Sequence, residues 1–491
     1  MKKMKKILAA VLAMVMVLAM GVSVSAATIT INGGASGSEY AAYKLMNVTQ
    51  SGTGADAKYS YTVNSKYEDV LEAVTGETTE SGVVDYISNL DTAGIRTFAD
   101  AIYAAITAAN LDADYTTDTD VFDSVDQGYY LIAETKTGTD DDTYSLVMLD
   151  TAGSESLTVT TKEDIVELEK KVKETNDSTG DVTDWQDAAD YDIGDSVPFQ
   201  LTGTLPSNYD SYSTYYYAFH DVMSSGLTLD TDSVEVYVDG TALGTGEYTV
   251  VTDAEKLTDG CTFEVIITDL KKVSVATTSS SVITVEYNAT LNDNAEIGST
   301  GNPNTAYLEF SNNPYGDGTG KTTRDTVIVF TYEIDVNKVD ESGAALSGAG
   351  FTLYKYDATK GKYVEVAELT TGTTFTFTGV DAGMYMISET TVPDGYNKAD
   401  DIYFTVEATY DTVADDPELK TLVVKDSDGN EIDSFSVTLS SGLISTDVEN
   451  SSDSLFPSTG GIGAKIFYAV GAVLMFAVAA YLILRKRSTK N

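Results

Sequence analysis

Two sets of residues in this chain each combine a lysine, a carboxyl group and an asparagine on apolar strand faces. Side chains alternate between the two faces of a strand, so residues two apart point the same way. Each lysine lies on the apolar face of a first strand, each acid on a central strand, and each asparagine on a last strand. The two sets follow the same order: Lys170, Asp221 and Asn312, then Lys338, Glu389 and Asn450.

Burial of such a set predicts an amide bond between the lysine and the asparagine. Burial lowers the pKa of a lysine and raises that of a carboxyl group, which leaves a neutral, nucleophilic amine beside a proton-donating acid. By analogy with a disulfide, closing a loop of roughly 100 residues stabilises a domain by about 4–5 kcal/mol. The alternative is a buried salt bridge beside a hydrogen-bonded asparagine. Recurrence of the set favours the bond.

Strand-like alternation with frequent turn residues predicts a mainly β fold of tandem immunoglobulin-like sandwiches. Ile95, Phe98, Ile102 and Ile106 fall on one helical face, which predicts a helical insertion in the first domain. A second helix is predicted from about Ser65, where a capping-box pattern stands. A long strand is expected from Val327 to Val339. The predicted domains are 27–161, 162–322 and 323–453.

The two ends of the chain carry export and anchoring signals. Residues 1–26, with four early lysines and an apolar run, predict a secretory signal peptide. Residues 466–484 are uncharged and precede a basic triplet, as expected of a transmembrane helix. Residues 454–491 resemble a Gram-positive cell-wall sorting signal. Its motif is Phe456, Pro457, Ser458, Thr459 and Gly460.

Composition excludes several function classes. With 30 basic and 76 acidic residues, the chain has a formal charge of −46, which argues against binding nucleic acid. One cysteine, Cys261, allows no internal disulfide, and one histidine, His220, allows no His-cluster zinc site. We predict no cofactor and no metal. His220 beside Asp221 is the only hint of a hydrolase, and strand neighbours face opposite ways.

The chain resembles the backbone (major) pilins of Gram-positive bacteria, which class C sortases polymerise. Residues 385–396, YMISETTVPDGY, are similar to the E-box of that family, and 338–351 resemble the opening of a Cna-B-type domain. The middle domain, with 184–186 and 219–221, is similar to a Cna-A-type domain. A stretch at 381–390 also repeats the pattern of 126–135, which suggests related units.

The resemblance implies that a sortase joins Thr459 of one copy to a lysine of the next. Lys162 stands in the matching place, although Thr-Thr precedes it where the family has Tyr-Pro. Lys136, Lys171 and Lys173 are competitors. Phe456 replaces the usual leucine, while the attacked Thr459-Gly460 peptide is unchanged.

The implied protein is a structural subunit and not an enzyme, apart from forming its own isopeptide bonds. The implied partners are a pilus sortase, a housekeeping sortase, other copies of the chain, minor pilins and peptidoglycan, with membrane contact only before processing. The expected location is the Gram-positive cell surface, with a role in adhesion. The alternative is a monomeric wall-anchored adhesin. Glu134 has no evident lysine–asparagine pair, so no isopeptide bond is expected in the first domain.

Overall fold

The computed structural model describes residues 26–33, 36–53, 56–140, 143–160, 165–257, 259–314, 316, 318–452 and 475. The predicted signal peptide up to residue 25, Lys162, the motif 456–460 and the span 466–484 apart from Met475 lie outside these residues. Among the described residues, none of the helices has the length and apolar character needed to span a bilayer.

The described chain divides into two compact units. The first unit extends to Thr175 and adds Asp181–Thr331 and Thr409–Thr421. The second comprises Asn176–Gly180, Tyr332–Ala408 and the described residues from Leu422 onward. The first unit therefore contains both the N-terminal and the middle domain.

The N-terminal domain consists of two small sheets and three helices. Its helices are α1 (Glu68–Thr75), α2 (Glu80–Ser88) and α3 (Thr92–Ala108). Its strands are β1 (Ala27–Asn32), β2 (Glu39–Ser51), β3 (Lys58–Val63), β4 (Tyr115–Thr117), β5 (Val121–Val125), β6 (Gly128–Lys136), β7 (Leu146–Asp150) and β8 (Ser156–Thr160). One sheet has the order β5-β1-β8 and the other β3-β2-β6-β7, with β4 paired to β2.

The helices form the predicted insertion between β3 and β4. Phe98, Ile102 and Ile106 of α3 are buried, as their spacing predicts, and pack in one core with residues of β2 and β6. The Asp91 side chain caps α3 by accepting from the Gly94 amide at 2.8 Å. The predicted capping box of α1 does not form, because the helix begins one residue after Tyr67, which makes no side-chain cap.

The middle domain is a β-sandwich. Its strands are β9 (Leu168–Val172), β10 (Ala188–Asp190), β11 (Ser196–Gly203), β12 (Tyr217–Met223), β13 (Leu227–Val238), β14 (Thr241–Ala242), β15 (Thr249–Val251), β16 (Phe263–Ile267), β17 (Ile283–Leu291), β18 (Asn302–Ser311), β19 (Thr319–Lys321) and β20 (Asp325–Phe330). One sheet has the order β14-β13-β17-β11-β9. The other has the order β10-β20-β18-β12-β16-β15, with β19 paired to β18. Alternate residues of both sheets fill one apolar core.

The second unit holds most of another two-sheet domain, of which residues 409–421 are grouped with the first unit. Its strands are β21 (Tyr332–Asp340), β22 (Gly350–Asp357), β23 (Lys362–Leu369), β24 (Thr374–Val380), β25 (Gly383–Thr391), β26 (Ile402–Tyr410), β27 (Leu419–Lys425), β28 (Phe435–Thr438) and β29 (Leu443–Asn450). The sheets have the orders β24-β21-β29-β28 and β23-β22-β25-β26-β27. The first and last strands, β21 and β29, pair in parallel.

The strand expected from Val327 to Val339 is two strands. β20 pairs with β18 and β10 and so completes the middle domain, whereas β21 opens the second unit. The division falls between Thr331 and Tyr332, later than the predicted start at 323. The apolar run 327–330 leads directly into the alternating residues of β21, so the sequence pattern does not reveal the change of sheet.

Candidate functional site

The first predicted lysine and acid meet in the core of the middle domain. Lys170 of β9 forms an ion pair through Nζ with Asp221 Oδ2 of β12, and both side chains are fully buried. Lys170 Nζ also donates to the Tyr287 hydroxyl of β17 at 2.8 Å. The rings of Phe199 and Tyr287 stack at 5.4 Å and flank the amine. The site is thus a small polar cluster inside an aromatic shell.

Asn304 of β18 belongs to this cluster. Its Nδ2 donates to the Tyr287 hydroxyl at 3.0 Å, and the residue is fully buried. Asp221 Oδ1 and Asn304 Oδ1 are both buried acceptors without a hydrogen-bond donor among the described residues. Protonation of Asp221 would supply a donor to a site that has two unfilled acceptors.

The predicted partner Asn312 is not part of the cluster. Ala306 of β18 lies opposite Asp221, and Asn312 follows Ala306 by six positions, or about 20 Å along a strand. Its backbone contacts Gly318 and Tyr144. Asn304 shares the inward face with Ala306 and lies near the level of Asp221. We therefore assign to Asn304 the position predicted for Asn312.

Burial shifts both ionisable groups towards their neutral forms. It lowers the pKa of Lys170, an effect that Asp221 partly opposes. It raises the pKa of Asp221, an effect that Lys170 and the Tyr287 hydroxyl partly oppose. Transfer of a proton from the Lys170 ammonium to the Asp221 carboxylate makes both groups neutral, which avoids the cost of burying two charges in an apolar core. A nucleophilic amine and a proton-donating acid can therefore coexist here.

The second predicted set comes together in the second unit. Lys338 lies on β21, Glu389 on β25 and Asn450 on β29, and all three are buried. Asn450 Nδ2 donates to Glu389 Oε1 at 2.8 Å. Asn450 Oδ1 is buried without a donor among the described residues, which is the atom that an acid must polarise.

Lys338 is held by backbone carbonyls. Its Nζ donates to Val448 O at 2.6 Å and to Val339 O at 2.9 Å. Val448 and Asn450 are two positions apart on β29, so both side chains lie on its buried face. Burial lowers the pKa of Lys338, and Glu389 partly opposes the shift. The amine is thus positioned beside the asparagine without a direct ion pair to the acid.

The N-terminal domain contains a buried acid without a comparable partner set. Glu134 Oε2 accepts from the Ser145 hydroxyl at 3.1 Å. Among the described residues of this domain, the buried polar ones include no lysine: Ser38, Gln127, Glu134, Thr143 and Thr151. The absence of an isopeptide bond from this domain stays a prediction.

The three competing lysines lie in different settings. Lys136 is 62% exposed and pairs with Glu39 at 3.1 Å. Lys171 is paired with Asp187 at 2.5 Å and with Glu169. Lys173 lies 4.5 Å above the Trp185 ring. Exposure favours Lys136 among these three, because a modifying enzyme must reach the amine.

His220 and Asp221 do not form a hydrolase pair. His220 Nδ1 contacts Asp259 at 2.8 Å, and its ring stacks on Tyr307 at 4.6 Å. Asp221 points into the opposite face of β12, towards Lys170. Strand alternation therefore separates the two side chains, as the sequence predicts.

Two family models match parts of the chain. Residues 332–418 match SpaA, a prealbumin-like fold domain. Residues 193–314 match the Cna-B-like domain of Gram-positive pilin backbone subunit 2. The second match differs from the Cna-A type that the sequence resemblance implied for the middle domain. The first match includes Lys338 and Glu389, and the second includes Asp221 and Asn304.

The chain is also similar to characterised proteins. It is 27% identical over 362 residues to the trypsin-resistant surface T6 protein of Streptococcus pyogenes, covering 60% of this chain and 65% of that protein. The T6 backbone pilin structure of serotype M6 Streptococcus pyogenes superposes with a TM-score of 0.55 and 19% identity, covering 88% of this chain and all of that one. The major pilin SpaD of Corynebacterium diphtheriae gives a TM-score of 0.48 at 17% identity, covering 87% and 98%.

The T6 superposition shows a shared fold, and the two family matches give the domain types. The aligned region spans about two thirds of the curated relative's length. The mainly β, multidomain fold predicted from the sequence is confirmed. The resemblance to domains of Gram-positive pilins is confirmed as well, because residues 332–418 and 193–314 match the two family models.

Proposed function

We propose that this protein is the backbone subunit of a covalent surface fibre, and that its domains are internally cross-linked. The observation that carries the proposal is the recurrence of a buried lysine, acid and asparagine in successive domains of pilin type. A fibre subunit must resist extension, and this chain has one cysteine with which to do so. Amide cross-links would provide that resistance in any redox state.

The proposed cross-links are Lys170–Asn304 and Lys338–Asn450. In each, the neutral lysine Nζ attacks the asparagine Cγ, a C–N bond forms, and the Cγ–Nδ2 bond breaks. The amine proton passes to the leaving nitrogen through the carboxyl group, so that one ammonia departs and no other reactant is needed. Asp221 and Glu389 are the proposed proton carriers. The Tyr287 hydroxyl, which contacts both Lys170 and Asn304, would position the first pair.

The geometry supports the two cross-links differently. At the first site the nucleophile touches the acid, and at the second the asparagine touches the acid. Each site has one contact already made and one still to form. In both cases the missing contact involves a buried asparagine oxygen that lacks a donor.

Polymerisation is proposed from the sequence motif. A sortase would cleave between Thr459 and Gly460 and transfer the threonine carbonyl to Lys162 of the next copy, which the Phe456 variant of the motif permits. A pilus sortase, a housekeeping sortase, minor pilins and peptidoglycan are the proposed partners, at the surface of a Gram-positive cell. Adhesion is the proposed role of the fibre.

The test is an electrophoretic analysis of cell-wall material after boiling in detergent. The expected result is a ladder of high-molecular-weight bands that Lys162→Ala abolishes. Lys136→Ala, Lys171→Ala and Lys173→Ala are matched controls that should leave the ladder intact. Loss of the ladder in one of these instead would move the acceptor to that lysine.

The second candidate function is a monomeric wall-anchored adhesin. It would use Thr459 for attachment to peptidoglycan and would need no acceptor lysine in another copy. A single wall-linked band in the unmodified protein would support it and contradict the fibre.

A further inference from the structure

The only histidine and the only cysteine of the 491-residue chain lie next to each other. Cys261 Sγ is 4.0 Å from His220 Nδ1, and both residues are at least nine-tenths buried. They are 41 residues apart in sequence, so the fold of the middle domain brings them together. Two carboxylates complete the group, from Asp259 and Glu264.

The four donor atoms are close together. His220 Nδ1 lies 2.8 Å from Asp259 Oδ2 and 3.4 Å from Glu264 Oε1. Cys261 Sγ lies 3.5 Å from the same Glu264 oxygen. One ligand atom from each of the four residues falls within 4.8 Å of every other.

These separations suit a tetrahedral transition-metal ion. With metal–ligand bonds of about 2.0–2.3 Å, the ligands of tetrahedral Zn²⁺ lie roughly 3.3–3.8 Å apart. Three of the four distances above are within a few tenths of an ångström of this range. The fourth, from His220 to Asp259, needs an opening of about half an ångström, during which the carboxylate would loosen the hydrogen bond that it accepts from the Tyr307 hydroxyl.

Two neighbouring strands and one turn carry the four residues of this group. His220 of β12 and Glu264 of β16 are direct cross-strand neighbours. Asp259 and Cys261 lie in the turn that precedes β16. His220 also stacks on Tyr307 of β18, so its ring orientation is fixed by packing. The cluster therefore lies on the face of this sheet opposite Asp221.

A further carboxylate lies on the other side of the histidine ring. Glu309 Oε2 is 3.5 Å from His220 Nε2, which is the ring nitrogen that faces away from the cluster. Lys321 lies 3.6 Å from the same Glu309 oxygen. Asp259 keeps 21% of its side chain exposed, which provides an entry path.

We propose that His220, Cys261, Asp259 and Glu264 form a binding site for a divalent transition-metal ion, with Zn²⁺ as the best fit. One thiolate and one imidazole favour zinc over Ca²⁺ and Mg²⁺, which prefer oxygen ligands alone. Binding would release the thiol proton to solvent and join β12, β16 and the turn that precedes β16. The sequence excludes a His-cluster site, but a mixed site needs only one histidine.

A Cys–His–Asp catalytic triad does not fit the same residues. In such a triad the nucleophile and the acid contact opposite ring nitrogens. Here Cys261 and Asp259 both approach Nδ1. The four side chains approach a common point, as the ligands of a metal ion do. They do not form the chain of hydrogen bonds from acid to histidine to nucleophile that a triad needs.

The test is titration of the full-length chain, purified in mild detergent under reducing conditions, with Co²⁺ as a spectroscopic substitute for Zn²⁺. One equivalent should give the d–d bands of tetrahedral Co²⁺ and a thiolate-to-cobalt charge-transfer band. Because the chain has one cysteine, that band can report only Cys261. Zn²⁺ should abolish both features, and a large excess of Ca²⁺ should not.

Variants separate this site from general binding to an acidic protein. Cys261→Ser should remove the charge-transfer band, and His220→Asn should weaken Co²⁺ binding at least tenfold. Glu255→Gln, which removes a carboxylate at an exposed position of the same loop, should change neither. Absence of the charge-transfer band from the unmodified protein would overturn the proposal, as would equal weakening by Glu255→Gln and His220→Asn.

Discussion

The sites around Lys170 and Lys338 contain the same three functional groups in different arrangements. Lys170 pairs with its acid, and its asparagine is held by a tyrosine hydroxyl. Lys338 is held by two carbonyls, and its asparagine is held by the acid. The same proposed reaction thus starts from two different hydrogen-bond patterns. The role of each group is set by its local contacts and cannot be transferred from one site to the other.

The two proposed bonds also join different parts of a sandwich. Lys170 lies on β9 of one sheet and Asn304 on β18 of the other, so the first bond would connect the sheets. Lys338 and Asn450 lie on neighbouring parallel strands of a single sheet. The first would resist separation of the layers, and the second would resist sliding of the terminal strands.

Loss of the acid should have the largest effect, and a larger one at the first site. Asp221→Ala removes the proton carrier and the ion-pair partner of a fully buried amine, and breaking a buried pair alone costs about 3–5 kcal/mol. Glu389→Ala removes a carrier but leaves Lys338 with two carbonyl acceptors. Denaturant unfolding of the full-length chain should give the greater destabilisation for Asp221→Ala.

The double variant Lys170→Met/Asp221→Leu is the matched control for that prediction. It also lacks the bond but buries no charge, so it should be more stable than Asp221→Ala. Equal stability of the two would show that the ion pair contributes nothing beyond the bond.

Removal of the asparagine tests which residue accepts Lys170. Asn304→Ala should show a mass deficit of one ammonia instead of two against the mass calculated from its own sequence, and should lose about 4–5 kcal/mol of stability with the closed loop. Asn312→Ala should leave the mass deficit unchanged, because its side chain is remote from Lys170. The opposite pattern would restore Asn312 as the partner.

The tyrosine hydroxyl should have the smallest effect on stability and a distinct effect on rate. Tyr287→Phe removes hydrogen bonds to Lys170, Asp221 and Asn304, at a cost of about 1–3 kcal/mol before the bond forms. The appearance of the cross-linked mass after refolding should slow. Tyr385→Phe is the matched control on β25, since that hydroxyl contacts Asp381. Equal slowing of the Lys338 bond by Tyr385→Phe would contradict a specific role for Tyr287.

Strand alternation predicted the inward lysines and acids because it depends only on local geometry. Lys170, Asp221, Lys338 and Glu389 are buried as that rule requires. The rule also places both Asn304 and Asn312 on one face of the last long strand. Alternation cannot distinguish the two asparagines, because it does not determine which residues of neighbouring strands lie opposite each other. That depends on strand register. The pairing of Asp221 with Ala306 favours Asn304.

Domain boundaries were less predictable than faces. One residue, Thr331, separates β20 from β21, and no glycine or proline marks the boundary. Their assignment to different sheets depends on hydrogen-bond partners that lie far away in sequence. Tyr287 was not predicted as a site residue. Its strand was predicted, but the contact of its hydroxyl with Lys170 depends on the order and register of the strands in the sheet.

The sequence alone determined the chemical inventory of this protein: two sets of lysine, acid and asparagine, one histidine, one cysteine, and a strongly acidic surface. Alternation then determined which of these groups point inward. Only the tertiary structure decided which groups meet, because strand register and sheet packing bring together residues tens of positions apart. That step favours Asn304 over Asn312 as the proposed partner of Lys170, adds Tyr287 to the cluster, and places His220 beside Cys261.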